Sequence, residues 1–368
     1  MKLCVFSSDP LYKYHRKGEI KPRYWNPTGM FERVSVFTFC DRDIAPDKVN
    51  TLVGDAELEV IPVGPLNPLR FPAQLRLVRR WIADIRPDLI RAHNPWYAGL
   101  LAVLAGRRAG IPVLLSLHTD YEARRRLERR PWRHRLLLSV LALVERYTIP
   151  RADRVLCVTN YLTSYARRLG ARSVEVVYNR VYTAQFDGVR QNHNSRPLIL
   201  SVGRLDPPKD QACLIRAVVG IDADLELVGD GVNLESLQSL AAALGVADRV
   251  RFAGNVQYAE IARRYAEADL FVLATGYEGF CIPVLEAMAS ALPIVASDTQ
   301  PLPELLGDCG VLVEREPAAF RAAIEELLAA PERRVRLGEA ARVRALSLDG
   351  ATMEQREAQL YCALVGAK

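Results

Sequence analysis

Seven residues separate two glutamates, Glu278 and Glu286, in the run Thr275-Gly276-Tyr277-Glu278-Gly279-Phe280-Cys281-Ile282-Pro283-Val284-Leu285-Glu286-Ala287-Met288-Ala289. The apolar segment Leu270–Leu273 before it reads as a strand. Pro283 marks a helix start, because the N–H it lacks is one that a first helical turn leaves unpaired anyway. Backbone amides at Gly279, Phe280 and Cys281 then combine with the positive end of a helix dipole into a cradle for an anion. The spacing predicts Glu278 in the loop and Glu286 in the first turn of the helix, both facing one crevice above the strand ends. A carboxylate accepting two hydrogen bonds from a ribose diol is the usual way to hold a nucleotide's sugar. The plainer reading makes Glu286 a counterweight to the helix dipole and Glu278 a solvated loop residue.

A second group is Ser201-Val202-Gly203-Arg204-Leu205-Asp206-Pro207-Pro208-Lys209-Asp210, where the apolar segment Leu198–Val202 ends. Gly203 lets the backbone approach a ligand, and Arg204 and Lys209 place two cations at a strand's carboxyl end, where open sheets bind ligands. Two cations suit a diphosphate and would ease its departure by neutralising the charge that develops on it. A solvated basic turn is the competing reading.

Such groups need strands that end where they begin, and the chain supplies them in series. Short apolar segments at Leu3–Phe6, Val34–Phe39, Leu58–Val63, Leu89–Ala92, Val113–Leu117, Val155–Val158 and Val174–Tyr178 are each followed by a helix-length amphipathic stretch. The rhythm returns at Leu198–Val202, Leu225–Val228, Val250–Ala253, Leu270–Leu273 and Pro293–Ala296. Strands alternating with helices predict α/β architecture, two Rossmann-like doubly wound parallel-sheet domains. The predicted division is residues 1–182, a polar linker at 183–196 that contains Gln191-Asn192-His193-Asn194-Ser195, and residues 197–348. Residues 349–368, after the turn Leu348-Asp349-Gly350, are expected to form a helix that packs back on the first domain.

Five motifs in order span nearly the whole second domain: V-G-R-L with Lys209, L-V-G-D-G (Leu227 to Gly231), F-A-G-N-V (Phe252 to Val256), A-D-L-F-V-L (Ala268 to Leu273), and the Glu278–Glu286 pair followed by P-I-V-A-S. This series resembles glycosyltransferase family four. The resemblance implies the GT-B fold, with two Rossmann-like domains facing a central cleft. It implies transfer of a sugar from a nucleoside-diphosphate sugar with retention of configuration, without metal or other cofactor. By its pattern Arg204 and Lys209 hold the donor diphosphate, Glu286 binds the ribose, and Val256 lies against the base. Glu278, with the backbone of Gly279 and Phe280, contacts the transferred sugar.

In the first domain Ser116-Leu117-His118-Thr119-Asp120 matches the family's cleft-floor histidine, so the resemblance makes His118 and Glu278 the catalytic candidates. The resemblance has His118 hydrogen-bond the transferred sugar from below; in the front-face mechanism proposed for this family the leaving phosphate takes the acceptor's proton, and His118 need not be a general base. Without the family match, a lone histidine at a strand end reads as structural. The family's glycine pair after the first strand is absent; Gly18-Glu19 is the candidate for exposing amides to the diphosphate or acceptor.

Charge divides the halves: residues 1–180 hold 31 Lys+Arg against 17 Asp+Glu, and the remainder 18 against 26. A basic first half calls for an anionic partner there. Arg124, Arg125, Arg126, Arg129, Arg130, Arg133 and Arg135, with Trp132 and the apolar run Leu136 to Val144, form a candidate contact with an anionic membrane; a solvated helix-turn is the alternative. No aromatic-studded single-strand motif or zinc module accompanies the arginines, so nucleic acid is not the expected partner. The expected partners are a nucleotide-sugar donor and a glycan or lipid-linked acceptor.

The cysteines are odd in number and scattered, without a C-x-x-C pair, which argues against a disulfide framework or a zinc site. No signal-peptide pattern opens the chain and no apolar run approaches the ~18 residues of a membrane span. A cytoplasmic address is expected, with a peripheral seat on the inner face of the cytoplasmic membrane left open. Rival activities are a nucleotide-sugar 2-epimerase or a phosphorylase of the same architecture, or a non-catalytic sugar-nucleotide module. The run Gly229-Asp230-Gly231-Val232-Asn233-Leu234 lacks the third glycine of a dinucleotide fingerprint.

Overall fold

The computed structural model describes residues 1–16, 20–127, 132–187 and 195–366. Gly18 and Glu19, residues 188–194 of the expected linker, and the side chains of Arg129, Arg130, Trp132, Arg133 and Arg135 lie outside the described residues.

The chain divides into two compact units, Met1–Tyr178 with Met353–Lys368, and Asn179–Thr352. In the first, seven parallel strands run β1 (Lys2–Phe6), β2 (Arg33–Thr38), β3 (Glu57–Pro62), β4 (Leu89–Ala92), β5 (Val113–Leu117), β6 (Arg154–Cys157) and β7 (Val174–Val176). Their order is β3-β2-β1-β4-β5-β6-β7. The second unit holds β8 (Leu198–Val202), β9 (Asp224–Val228), β10 (Val250–Gly254), β11 (Leu270–Leu273), β12 (Ile294–Ser297) and β13 (Val311–Val313), ordered β10-β9-β8-β11-β12-β13. Every residue of β4, β5, β11 and β12 is buried, as strands of a parallel sheet covered by helices on both faces are, and the polar ones among them, such as Arg91 on β4 and Ser116 on β5, bond inside the protein. Edge strands β7 and β13 are only partly buried. Each sheet reverses its winding direction once, between β1 and β4 and between β8 and β11, and the crevice at that switch point is where doubly wound folds take their ligands.

The helix Gly350–Gly366 belongs to the first unit from Met353 onward. It packs there through polar groups as well as apolar ones. Arg91, on β4, bonds Glu357 and donates to the Tyr361 hydroxyl at 2.6 Å; that hydroxyl donates to Glu357 at 2.7 Å. Glu354 pairs with Arg23 at 3.1 Å and accepts from the Thr28 amide at 2.8 Å. Tyr361 is fully buried against Phe31, ring centroids 5.7 Å apart. Where the chain leaves and re-enters the second unit, Asp349 accepts from the amide and hydroxyl of Thr183, and the Gly350 amide donates to Val181 O.

Arg125 departs from its expected membrane-facing role. Its guanidinium forks onto both oxygens of Glu145, a residue only 1% exposed, which also accepts from Trp96 Nε1 at 2.6 Å and the Tyr165 hydroxyl at 2.8 Å. A buried carboxylate must be paired, and Arg125 supplies the pair. Arg126 is exposed and, among the described residues, bonds Glu122.

In the second unit the loop after β8 lies flat on the loop after β9. The Gly203 amide donates to Val228 O and the Leu205 amide to Asp230 O. Gly229, at φ +133°, permits this contact: a Cβ there would stand 2.1 Å from the Gly203 carbonyl oxygen. Gly229→Ala is therefore expected to destabilise the unit by roughly 2–3 kcal/mol, through a disfavoured backbone and a forced displacement of the Arg204 loop. Urea unfolding of the variant checks it; a change below ~0.5 kcal/mol would mean that the loop moves aside freely.

Candidate active site

Gly203, Arg204 and Lys209 follow β8, and Glu278 follows β11, so the two groups of the second unit flank its switch point. The loops are stitched together by backbone: the Gly276 amide donates to Pro208 O at 2.8 Å and the Thr275 hydroxyl to the same oxygen at 3.1 Å. This fixes Lys209 against Glu278, and the ammonium donates to Glu278 Oε1. Both side chains are largely enclosed, 19% and 7% exposed. Burial would lower the lysine's pKa, yet the Glu278 carboxylate more than offsets it and holds the ammonium charged above its ordinary value.

Glu286 stands in the second turn of the helix Ile282–Ala289, not the first as the spacing predicted. It is 4% exposed and accepts from the Tyr265 hydroxyl at 2.9 Å. Neither glutamate is a solvated loop or dipole residue; each is buried with a designated partner. Cys281, at the N-cap, sits at φ +76° and ψ +68°, an uncommon conformation for a residue with a Cβ. Its thiol is pushed up by burial and then by Glu278, with Lys209 and Glu286 also acting on it, so these charges share one neighbourhood. Such strain collects at functional sites. Arg204 is 68% exposed and pairs with Asp206 at 2.6 Å, so it is the exposed cation of the two. Val256 lies just beyond β10, half-buried.

In the first unit, His93 follows β4 and His118 follows β5. Their rings lie within 14° of parallel, His93 Nδ1 stands 3.4 Å from His118 Nε2, and Trp25 Nε1 donates to His93 Nε2 at 3.0 Å. Burial, then the Arg91 guanidinium, lowers His118 to about 4, while Glu357 opposes them. His93 is lowered well below the usual range, by burial first.

A histidine depressed from 6.5 to about 4 takes up its proton more readily in the unfolded chain, so its contribution is complete above pH ~6.5 and is lost as pH falls toward 4. His118→Asn should therefore flatten the acid side of the stability–pH curve, by up to ~1 kcal/mol per pH unit in that window. Unfolding midpoints at pH 7, 6 and 5 for the two proteins test this; parallel curves would refute a neutral His118.

Sequence reasoning singled out His118, Lys209, Glu278 and Glu286 but missed Tyr265, Trp25, His93 and Arg91. A signal existed only for His93, a second histidine immediately after the apolar segment Leu89–Ala92.

Comparison with known proteins agrees on one class. A family model described as glycosyl transferases group 1 matches residues 185–344, and one described as glycosyl transferase 4-like domain matches residues 28–180. The GDP-mannose-dependent alpha-(1-6)-phosphatidylinositol monomannoside mannosyltransferase of Mycolicibacterium smegmatis is 34% identical over 307 residues, 74% of this chain and 78% of that protein. The solved structure of sucrose-phosphate synthase from Thermosynechococcus elongatus superposes with a TM-score of 0.81 at 20% identity, covering 100% of both chains. Anabaena HepE in complex with UDP gives 0.78 at 19% identity, covering 98% of this chain and 99% of that one. Two parallel-sheet Rossmann-like units of this order define a glycosyltransferase of GT-B fold. The chain belongs to glycosyltransferase family four.

Proposed function

We propose that this glycosyltransferase moves a hexose-type sugar from a nucleoside-diphosphate sugar to an acceptor hydroxyl with retention of configuration and without a metal cofactor, in lipopolysaccharide, glycolipid or polysaccharide assembly. The observation that carries the reading is the buried Lys209–Glu278 pair, set at the switch point between β8 and β11 beside the strained Cys281 and the helix that bears Glu286. The donor's diphosphate would take Lys209 from Glu278, leaving the carboxylate to the sugar hydroxyls. Arg204 would swing from Asp206 onto the same phosphates. Two cations there stabilise the charge that grows on the leaving group. Glu286, oriented by Tyr265, suits the ribose diol. The smegmatis relative is named as GDP-mannose-dependent and the Anabaena structure holds UDP, which supports a nucleotide donor and leaves the base open.

The acceptor is the glycan or lipid-linked one that a basic first unit favours. Leu137, Val140, Leu143 and Tyr147 are exposed along one face of the helix Trp132–Thr148, an apolar stripe next to the arginine-rich segment. Arg124 and Arg126 are exposed beside this stripe, whereas Arg125 turns inward to Glu145. A peripheral seat on an anionic leaflet follows.

Thermal unfolding against GDP, UDP, ADP and the corresponding nucleotide sugars tests the donor. A ligand at about 100 times its Kd stabilises the native state by ~2.7 kcal/mol, and a selective rise with one base is expected. The absence of a shift with every nucleotide would overturn the donor assignment.

A further inference from the structure

Trp25, His93 and His118 form a chain whose proton positions are fixed from one end. An indole nitrogen only donates. Trp25 Nε1–H therefore requires His93 Nε2 to be an acceptor, which makes His93 a neutral imidazole with its proton on Nδ1. That Nδ1–H faces His118 Nε2 at 3.4 Å, with the two rings nearly parallel and their centroids, at 5.5 Å, farther apart than the nitrogens, as edge-to-edge rings require. His118 Nε2 is then the acceptor, and the remaining proton of neutral His118 sits on Nδ1.

We propose that Trp25 and His93 are positioning residues that hold His118 in the Nδ1–H tautomer, so that the edge it offers a substrate hydroxyl is Nδ1–H. The ring is sealed on one edge by His93 and offers only the Nδ1 edge, which has no partner among the described residues. The charged groups acting on this pair are Arg91 from β4 and Glu357 from the C-terminal helix; they bond each other and so bring little net charge. The Tyr24 ring stacks on His93 with centroids 6.0 Å apart and closes a further side. A neutral donor at Nδ1 suits a substrate hydroxyl, whose oxygen accepts the bond. This assignment rests on the transferase reading for its role, while the tautomer itself rests on geometry alone.

The experiment has two arms. In the first, nitrogen-15 NMR of the histidine rings in the unaltered protein is expected to show pyrrole-type Nδ1 and pyridine-type Nε2 for both His93 and His118. A protonated Nε2 on His118 would overturn the proposal, whatever the protein's activity. In the second, His93→Asn is set against His93→Asp, two side chains of one shape. Asn keeps an N–H aimed at His118, whereas Asp offers only acceptor oxygens and inverts the tautomer. The Asp variant is expected to lose roughly 100-fold in kcat with KM for the donor little changed, and the Asn variant to restore most of it. Equal loss in both, with the fold intact by circular dichroism, would reduce His93 to a packing residue. If no transfer occurs with any donor, the functional reading fails while the NMR arm still decides the tautomer.

Discussion

Glu357→Ala is expected to destabilise the protein by about 3–5 kcal/mol, because it strands the Arg91 guanidinium, 5% exposed, inside the first unit. In the intact protein that guanidinium is shared among Glu357, the Tyr361 hydroxyl and Ser116 Oγ. Without the carboxylate, a full positive charge remains on β4 beside the neutral Tyr361 hydroxyl and Ser116 Oγ. It cannot escape by deprotonation, since arginine keeps its proton at any ordinary pH. Glu357→Gln keeps an acceptor for Arg91 but loses the charge, and should cost less. Urea unfolding of the two variants separates these effects. A loss below ~1 kcal/mol in Glu357→Ala would show that water reaches Arg91 and that the C-terminal helix is held mainly by Phe31, Tyr361 and their apolar neighbours.

Lys209→Met is expected to reduce kcat/KM for sugar transfer by about 10²- to 10³-fold, the scale found when one group that stabilises transition-state charge is removed. The loss should fall mainly on the chemical step, because the lysine would act on charge that grows as the diphosphate departs. Affinity for the bare nucleoside diphosphate should weaken as well. Arg204→Ala should weaken transfer less, since that side chain is largely exposed and already paired with Asp206. Lys209→Met also leaves Glu278 buried and unpaired, so Glu278→Gln must be added to separate stability from catalysis. If Lys209→Met transferred sugar at the unaltered rate, the diphosphate would have to lie elsewhere.

Much of the fold was legible because buried parallel strands announce themselves. Leu89–Ala92, Val113–Leu117, Leu198–Val202 and Leu270–Leu273 begin and end where their apolar runs do. Strand β13 escaped notice: Val311–Val313 is three residues long and lies at a half-covered edge, so little in its composition demands a strand. Glu286 was set one turn too early because Pro283 is the second helical residue and the helix is short. The partnerships were the least readable layer. Trp25 and His93 lie 68 residues apart, and Arg91 and Glu357 lie 266 apart, so no spacing rule joins them. Arg125 shows the same limit at short range, where a run of identical residues gives no hint that one of them turns inward to Glu145.

The return of the last helix to the first unit also sets an order of assembly on the ribosome. The second unit is one continuous stretch, Asn179–Thr352, whereas the first needs Met353 onward to complete it. At ~5–20 residues per second, roughly ten to thirty-five seconds of synthesis separate the last strand of the first unit from its closing helix. Throughout that interval Arg91, Phe31 and the apolar residues around them await Glu357 and Tyr361, exposing a charged and apolar scar in a nascent chain that has already finished its other half. The domain made first is thus sealed last, which makes it the natural client for whatever shields growing polypeptides.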